Sequence, residues 1–234
     1  GNRIGFFQTG TSMGTAIETK IKMAPCREAC PAGIDVPRYI RLIRQRDFDG
    51  ALDVIRQRIP FPAVCGYACV HPCEAKCARI QYDEAVAIRM LKRAADEHSR
   101  GVVTFERKAK PTGKRVAIIG SGPCGLTAAH YLAGLGHAVT VFESLPQAGG
   151  MLRYGIPEYR LPNDVVDREI AAIQRRGVDI VTSSPVTSAP DLLGKGFDAV
   201  LAASGAWTPV RMGIEGEASD RKSTRLNSSH TIQS

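Results

Sequence analysis

"RVAIIGSGPCGLTAAHYLAGLGHAVTVFE", residues 115–143, decides the fold. The apolar run at 115–120 predicts a buried strand, residues 123–136 a helix closed by glycine, and residues 138–143 a second strand, the beginning of a βαβ unit. Between strand and helix lies Gly120-x-Gly122-x-x-Gly125. There the first glycine permits a tight turn, the second lets backbone approach a pyrophosphate, and the third allows close helix-to-strand packing, with the helix N-terminus facing the phosphates. Glu143 ends the second strand about 20 residues on, where a carboxylate accepts ribose hydroxyls. A lone glycine-rich turn is weak evidence, but strand, turn, helix and acid in register make a dinucleotide site. These residues alone leave FAD and NAD both open. Cys124, inside the turn, reads as a small packing residue rather than a reactive thiol.

Toward the C-terminus, residues 163–177 predict a helix capped by Asn163 or Asp164, with Val166, Ile170 and Ile173 inward and Gly177 as its stop. Residues 178–183 and 197–204 predict two more strands. Toward the N-terminus, residues 23–100 read as helical and hold six of the seven cysteines. Asp35 is placed to cap a helix with Pro37 in its first turn and Val36, Ile40 and Ile43 on one face. A break at "RDFDG", residues 46–50, precedes a second helix with Ala51, Leu52, Ile55 and Ile59 inward, ending at Pro60. Residues 83–98 predict a third, capped by Asp83 and buried through Val86, Met90, Leu91 and Ala94.

The cysteines lie around these helices. "CGYACVHPCEAKC", residues 65–77, spaces Cys65, Cys69, Cys73 and Cys77 four apart, and Cys26 and Cys30 repeat the interval. Gly66 and Pro72 argue for a coiled segment that wraps a small object, rather than a helix with its thiols aligned. Clustered thiols of this kind suggest metal or cluster ligation before disulfides. Every close interval is C-x3-C, without the C-x2-C knuckles usual at zinc, so spacing ranks an iron–sulfur centre above zinc and a disulfide framework third. His71 fits a hydrogen-bonding or exposed role better than ligation.

Composition bounds the rest. The 234 residues, 44% hydrophobic, suffice for one large domain or two small ones, and no run approaches the ~18 apolar residues of a membrane span. We expect a cytoplasmic protein. The net charge is +8, or +6 without residues 220–234, and the remaining positive charge sits at residues 38–46, on an amphipathic helix, and at 107–115, where Pro111 and Gly113 mark a solvated linker. Neither cluster has the interleaved aromatics of a nucleic-acid surface, so none is expected to bind there. Residues 1–22 stay unassigned as an N-terminal remnant, and residues 101–115 are the linker. Residues 220–234 open on "DRKSTRLNSSH", which resembles a translated sequencing adapter, and are read as an artefact.

The stretch "VAIIGSGPCGLTAAHYLAGLGHAVTVFESLPQAGGMLRYGIPEYRLP" resembles the FAD-binding half of the glutamate synthase small subunit family, to which the N-terminal part of dihydropyrimidine dehydrogenase is similar. "APCREACPAGIDVPRYI" and "PFPAVCGYACVHPCEAKC" resemble the helical iron–sulfur domain that precedes it. The resemblance implies a helical [4Fe-4S] domain over 23–100, followed by an α/β Rossmann-like FAD-binding domain over 116–219, truncated here. By position it implies FAD contacts at Gly120, Gly122, Gly125, Glu143, Gly150, Met151 and Arg160, with Val186 near the adenine and Ser204, Gly205 and Ala206 returning to the flavin. Cys30, Cys69 and Cys73 match three ligands of one family cluster, and Cys26 and Cys77 two of another. Two further family cysteines would fall near Glu18 and Ile21, and a non-cysteine ligand near Lys92, whose ammonium has no electron pair to donate. Cys65 is the residue left to compensate. One [4Fe-4S] cluster drawing on Cys26, Cys30, Cys65, Cys69, Cys73 and Cys77 is therefore expected, with two clusters as the alternative.

The function so implied is electron transfer from NAD(P)H, held by a domain missing from this chain, through FAD and [4Fe-4S] to a partner subunit or domain. It requires no catalytic acid, base or nucleophile. The chain alone is expected to bind flavin weakly and oxidise little NAD(P)H. A non-catalytic iron–sulfur scaffold and a zinc-stabilised FAD or NAD reductase are the alternatives.

Overall fold

The computed structural model describes residues 23–101, 109–208 and 213–214. The readings of residues 1–22 as a remnant and of 220–234 as an artefact lie outside them. Six short α-helices build the N-terminal half: α1 (Pro25–Glu28), α2 (Val36–Arg44), α3 (Phe48–Arg56), α4 (Pro62–Ala68), α5 (Pro72–Ala75) and α6 (Ile88–Glu97). Asp35 caps α2 as expected, accepting from the Arg38 N–H at 3.3 Å. The helix "RDFDG" was expected to precede starts inside it, because Asp47 accepts from the Gly50 N–H at 2.9 Å. It ends at Arg56, so Ile59 packs on the core from beyond the helix.

Two further expectations are corrected. α6 begins at Ile88 rather than near Asp83, which instead pairs with Arg79 at 2.6 Å. Its buried face is Ile88, Lys92 and Ala95, while Met90 is 49% exposed. And Cys65 and Gly66 lie within α4 rather than in coil. A Cβ on Gly66 would stand 3.0 Å from the Arg93 Cα, so the glycine marks the close approach of α4 to α6. Chain reversal comes at His71, whose φ of 44° breaks the run between α4 and α5.

The second half is a parallel sheet in the order β3-β2-β1-β4, from β1 (Arg115–Ile119), β2 (Ala138–Phe142), β3 (Val178–Val181) and β4 (Ala199–Ala202). The linker's last residue is thus the first of the sheet. α7 (Pro123–Gly134) joins β1 to β2; α8 (Met151–Tyr154) and α9 (Asn163–Arg175) lead to β3, and α10 (Ala189–Gly194) to β4. α9 has Pro162 at its N-cap, and neither Asn163 nor Asp164 makes the expected cap. Val165, Val166, Ile170 and Ile173 of α9 close over Val139, Val141 and Leu126.

That Rossmann core does not stop at the linker. Phe61, Ala63 and Val64, at the start of α4, are buried in the same cluster as the sheet and α9. The helical half has a separate core of Ile34, Val36, Tyr39, Leu52, Ile55 and Ile88, against which Cys26, Cys30 and Cys73 pack. α4 is therefore shared between the two halves.

Candidate functional site

The chain runs from β1 outward to β3 and then returns to β4 on the other side of β1, so the strand order reverses between β1 and β4. In open parallel sheets that reversal opens a crevice at the carboxyl ends of the strands. A cavity of about 410 Å³ lies there, lined by Gly120, Gly122, Glu143, Gly150, Met151, Val186 and Gly205 among the expected residues. Gly120, at φ 102°, turns the chain so tightly that a Cβ would lie 2.5 Å from the Ala203 carbonyl oxygen. Gly150 is pressed on the turn from outside, where a Cβ would lie 2.7 Å from the Gly122 Cα. The Cβ direction of Gly122 itself is open, with no atom within 4 Å, and its backbone borders the cavity. This cradle, with the free N–H groups of the α7 first turn, suits a pyrophosphate.

Glu143 is 4% exposed and borders the cavity. The Ser121 N–H donates to it at 2.9 Å and the Leu145 N–H at 2.9 Å, with the Ser121 and Ser144 hydroxyls completing the set. Burial alone would raise its pKa; the Ser121 hydroxyl and the backbone N–H groups outweigh burial and hold the carboxyl below the ordinary range. Glu143 is thus an ionised acceptor at neutral pH, suited to ribose hydroxyls. Arg153 steadies the segment that carries Gly150: its Nε donates to the Ala148 carbonyl at 2.9 Å and its guanidinium pairs with Asp167 of α9.

Not every expected residue meets here. Gly125 lies behind the turn, where a Cβ would stand 2.0 Å from the Gly120 oxygen, so its role is packing. Ala206 follows the lining residue Gly205 but does not itself border the cavity. Arg160 lines a different cleft of about 360 Å³, with Tyr67, Arg89, Arg93 and Tyr159, between α4, α6 and the loop before α9. Cys124, expected to pack, is exposed at the cavity wall. Sequence reasoning missed Ser121, fully buried, whose Oγ also accepts from the Gly149 N–H at 3.1 Å. It missed Trp207 too, which lines the cavity with its indole N–H donating to the Ser204 carbonyl at 2.9 Å. A serine between two glycines was the available signal for the first; the second had none.

The six other cysteines gather on the helical half. All are free thiols, with Cys73 buried and Cys26, Cys30, Cys65, Cys69 and Cys77 half-buried. Burial raises the Tyr39 hydroxyl pKa far above its usual range, and Cys73, Cys30, Cys26 and Cys69 add to the rise as its charged neighbours. Burial pushes the Cys65 thiol up to about 11, against the pull of the Lys92 ammonium; Cys69, Glu169 and Cys30 are its other neighbours. Burial likewise raises Cys73, again countered by Lys92, with Cys69 and Cys30 beside it. Cys26, raised by burial, has Cys77 as its thiol neighbour. Lys92 thus neighbours Cys65 and Cys73, Cys30 and Cys69 stand beside those two, and Cys26 neighbours Cys77, while Tyr39 faces Cys26, Cys30, Cys69 and Cys73 together.

Lys92 is 6% exposed, so this ammonium is the cation in place to favour the thiolates that a metal centre requires. The backbone N–H of His71 donates to Cys69 Sγ at 3.3 Å, while its ring pairs with Glu74 at 3.2 Å. Among the described residues no three His, Cys, Asp or Glu side chains stand close enough to hold one metal ion.

Comparison with known proteins matches residues 113–233 to the pyridine nucleotide-disulphide oxidoreductases and residues 19–102 to dihydropyrimidine dehydrogenase domain II, 4Fe-4S cluster. The chain belongs to the pyridine nucleotide-disulphide oxidoreductase family, in its NAD(P)H-dependent FAD and iron–sulfur branch, and FAD and [4Fe-4S] are the cofactors of this pair of domains. It is 42% identical over 200 residues to the NADPH-Fe(3+) oxidoreductase subunit beta of Geobacter sulfurreducens, covering 83% of this chain and 30% of that one. It is 43% identical over 219 residues to the NADP(+)-dependent formate dehydrogenase subunit beta of Moorella thermoacetica, covering 83% and 31%. To the NAD-dependent dihydropyrimidine dehydrogenase subunit PreT of Escherichia coli it is 41% identical over 167 residues, covering 70% and 40%. The chain thus spans about a third of the length of the curated relatives it matches. Among the described residues no helix is long and apolar enough to cross a membrane.

Proposed function

We propose that the chain is the electron-transfer part of a flavin and iron–sulfur oxidoreductase that takes electrons from NAD(P)H and hands them to a partner subunit or domain. The observation that carries this reading is α4, which bears Cys65, is capped by Cys69 and starts inside the Rossmann core. One element thus joins the cysteine-bearing half to the core of the dinucleotide fold. FAD, when bound, accepts the two-electron hydride of a nicotinamide and releases single electrons that an iron–sulfur centre relays.

The protein's part is to bind and orient. Gly120, Gly122 and Gly150 would hold the pyrophosphate, Glu143 the ribose, and Met151, Val186 and Gly205 the rest of the flavin nucleotide. Gly125 would act through packing. Ala206 and Arg160 are assigned by resemblance, Arg160 from the neighbouring cleft. One [4Fe-4S] cluster would draw its four ligands from Cys26, Cys30, Cys65, Cys69, Cys73 and Cys77, and the neighbourhood of Cys30, Cys65, Cys69 and Cys73 favours those four. Domain limits follow: helical cluster domain over 23–100, linker to about the start of β1, flavin domain beyond it. The relatives are named for iron(III), formate and dihydropyrimidine chemistry, so the acceptor is set by the partner, as in a glutamate synthase small subunit-like arrangement. Quantifying iron, sulfide, zinc and flavin in the anaerobically reconstituted chain tests this. Close to four irons and four sulfides are expected, with flavin bound weakly and saturably; zinc in place of iron, or a chain that takes up no flavin even at excess FAD, would contradict it.

A further inference from the structure

α4 has no local cap. Its N-cap is Phe61, which offers no side-chain acceptor, and Pro62 in the first turn has no N–H. The orphan donors that remain, the N–H groups of Ala63 and Val64, point at Glu169 of α9. Glu169 Oε1 accepts from Ala63 at 3.0 Å and Oε2 from Val64 at 3.0 Å, across 106 and 105 residues of sequence. All three residues are buried, so the two N–H groups take their partners from the Glu169 side chain rather than from bulk water. Cys65 follows Val64 directly, and the helix closes at Cys69, whose N–H donates to the Cys65 carbonyl at 3.3 Å. A single carboxyl group of the flavin domain therefore fixes the start of a two-turn helix that carries Cys65 and is capped by Cys69.

We propose that Glu169 is a positioning residue for the iron–sulfur centre, clamping α4 so that Cys65 and Cys69 hold the cluster at a fixed distance from the flavin fold. The clamp rests on the assignment of the cluster to these thiols. Its chemistry is specific: two parallel N–H donors each meet an oxygen of one carboxyl group, which can accept whether or not it carries a proton. Glutamine offers one oxygen and one NH2, so one amide would face a donor and stay unpaired. A second contact across the same boundary supplies the control. Arg168 pairs with Asp96 of α6 at 3.1 Å, a contact between the two halves in which no residue of α4 is a partner.

The test compares E169Q, E169A and R168A with the parental chain after anaerobic reconstitution with iron and sulfide. It follows the electron paramagnetic resonance signature of the dithionite-reduced cluster and the rate at which a chelator strips iron. In both Glu169 variants the resonance should shift and iron should leave roughly tenfold faster, while R168A keeps the parental signature. Hydrogen exchange on the same chains, read without metal, should show the 63–64 amides losing protection in E169Q while residues 88–97 keep theirs, which covers the case in which E169A does not fold. An unchanged signature in E169Q beside a parental chain that holds its iron overturns the clamp alone, and so does an R168A signature that moves as much as the E169Q one. A parental chain that holds no iron overturns the cluster assignment, and the clamp's role with it.

Discussion

Ser121 ties the flavin site together: fully buried, it donates to Glu143 through both N–H and hydroxyl and receives the Gly149 N–H. S121A removes the hydroxyl donor from a buried carboxylate, at a cost of about 1–3 kcal/mol. Lower thermal stability and roughly tenfold weaker flavin binding are expected, read by melting and by fluorescence titration. His130 gives a pH signature. Burial, then Arg176 and Arg56, push its pKa down to about 4. Between its ordinary ~6.5 and 4 the unfolded chain takes up a proton that the folded chain refuses, so stability falls as pH falls through that window, by about 3 kcal/mol in all. Glu169, pushed up to about 8 by burial, acts oppositely, losing stability as pH rises from about 4.5 to 8. Denaturant melts at pH 7, 5.5 and 4 should therefore lose their acid slope in part in H130Q relative to the parental chain; identical slopes would refute the histidine's share.

At the scale of elements, α4 and α6 show what packing demands. A Cβ at residue 66 would press on the Arg93 backbone at 3.0 Å, so G66A should separate the two helices and destabilise the fold by about 1–3 kcal/mol despite alanine's better helix propensity. A variant at or above parental stability in denaturant melts would count against this. The same pair explains what the sequence withheld. β1, α7 and β2 were legible because their apolar periods, the glycine turn and Glu143 are all local. Gly66 suggested coil because its reason for being glycine, the Arg93 backbone, lies 27 positions away. The face of α6 was misread because Lys92, a charged residue, occupies a core position beside thiols, whereas Met90 is turned outward. Glu169 reads locally as one more polar residue of an amphipathic helix, and only the fold brings Ala63 and Val64 to it.

At the scale of the whole molecule, the two halves behave as one unit. The start of α4 is in the Rossmann core, Glu169 caps it, and Arg168 reaches Asp96 on α6. The central claim is that this arrangement lets electrons cross between flavin and cluster. The direct measurement is anaerobic photoreduction of the chain reconstituted with both FAD and [4Fe-4S], following flavin absorbance and cluster resonance together. The account predicts that the reduced-cluster signal grows as the flavin bleaches, with no added mediator. A flavin that bleaches fully while the cluster stays oxidised, though dithionite reduces it, would contradict the account.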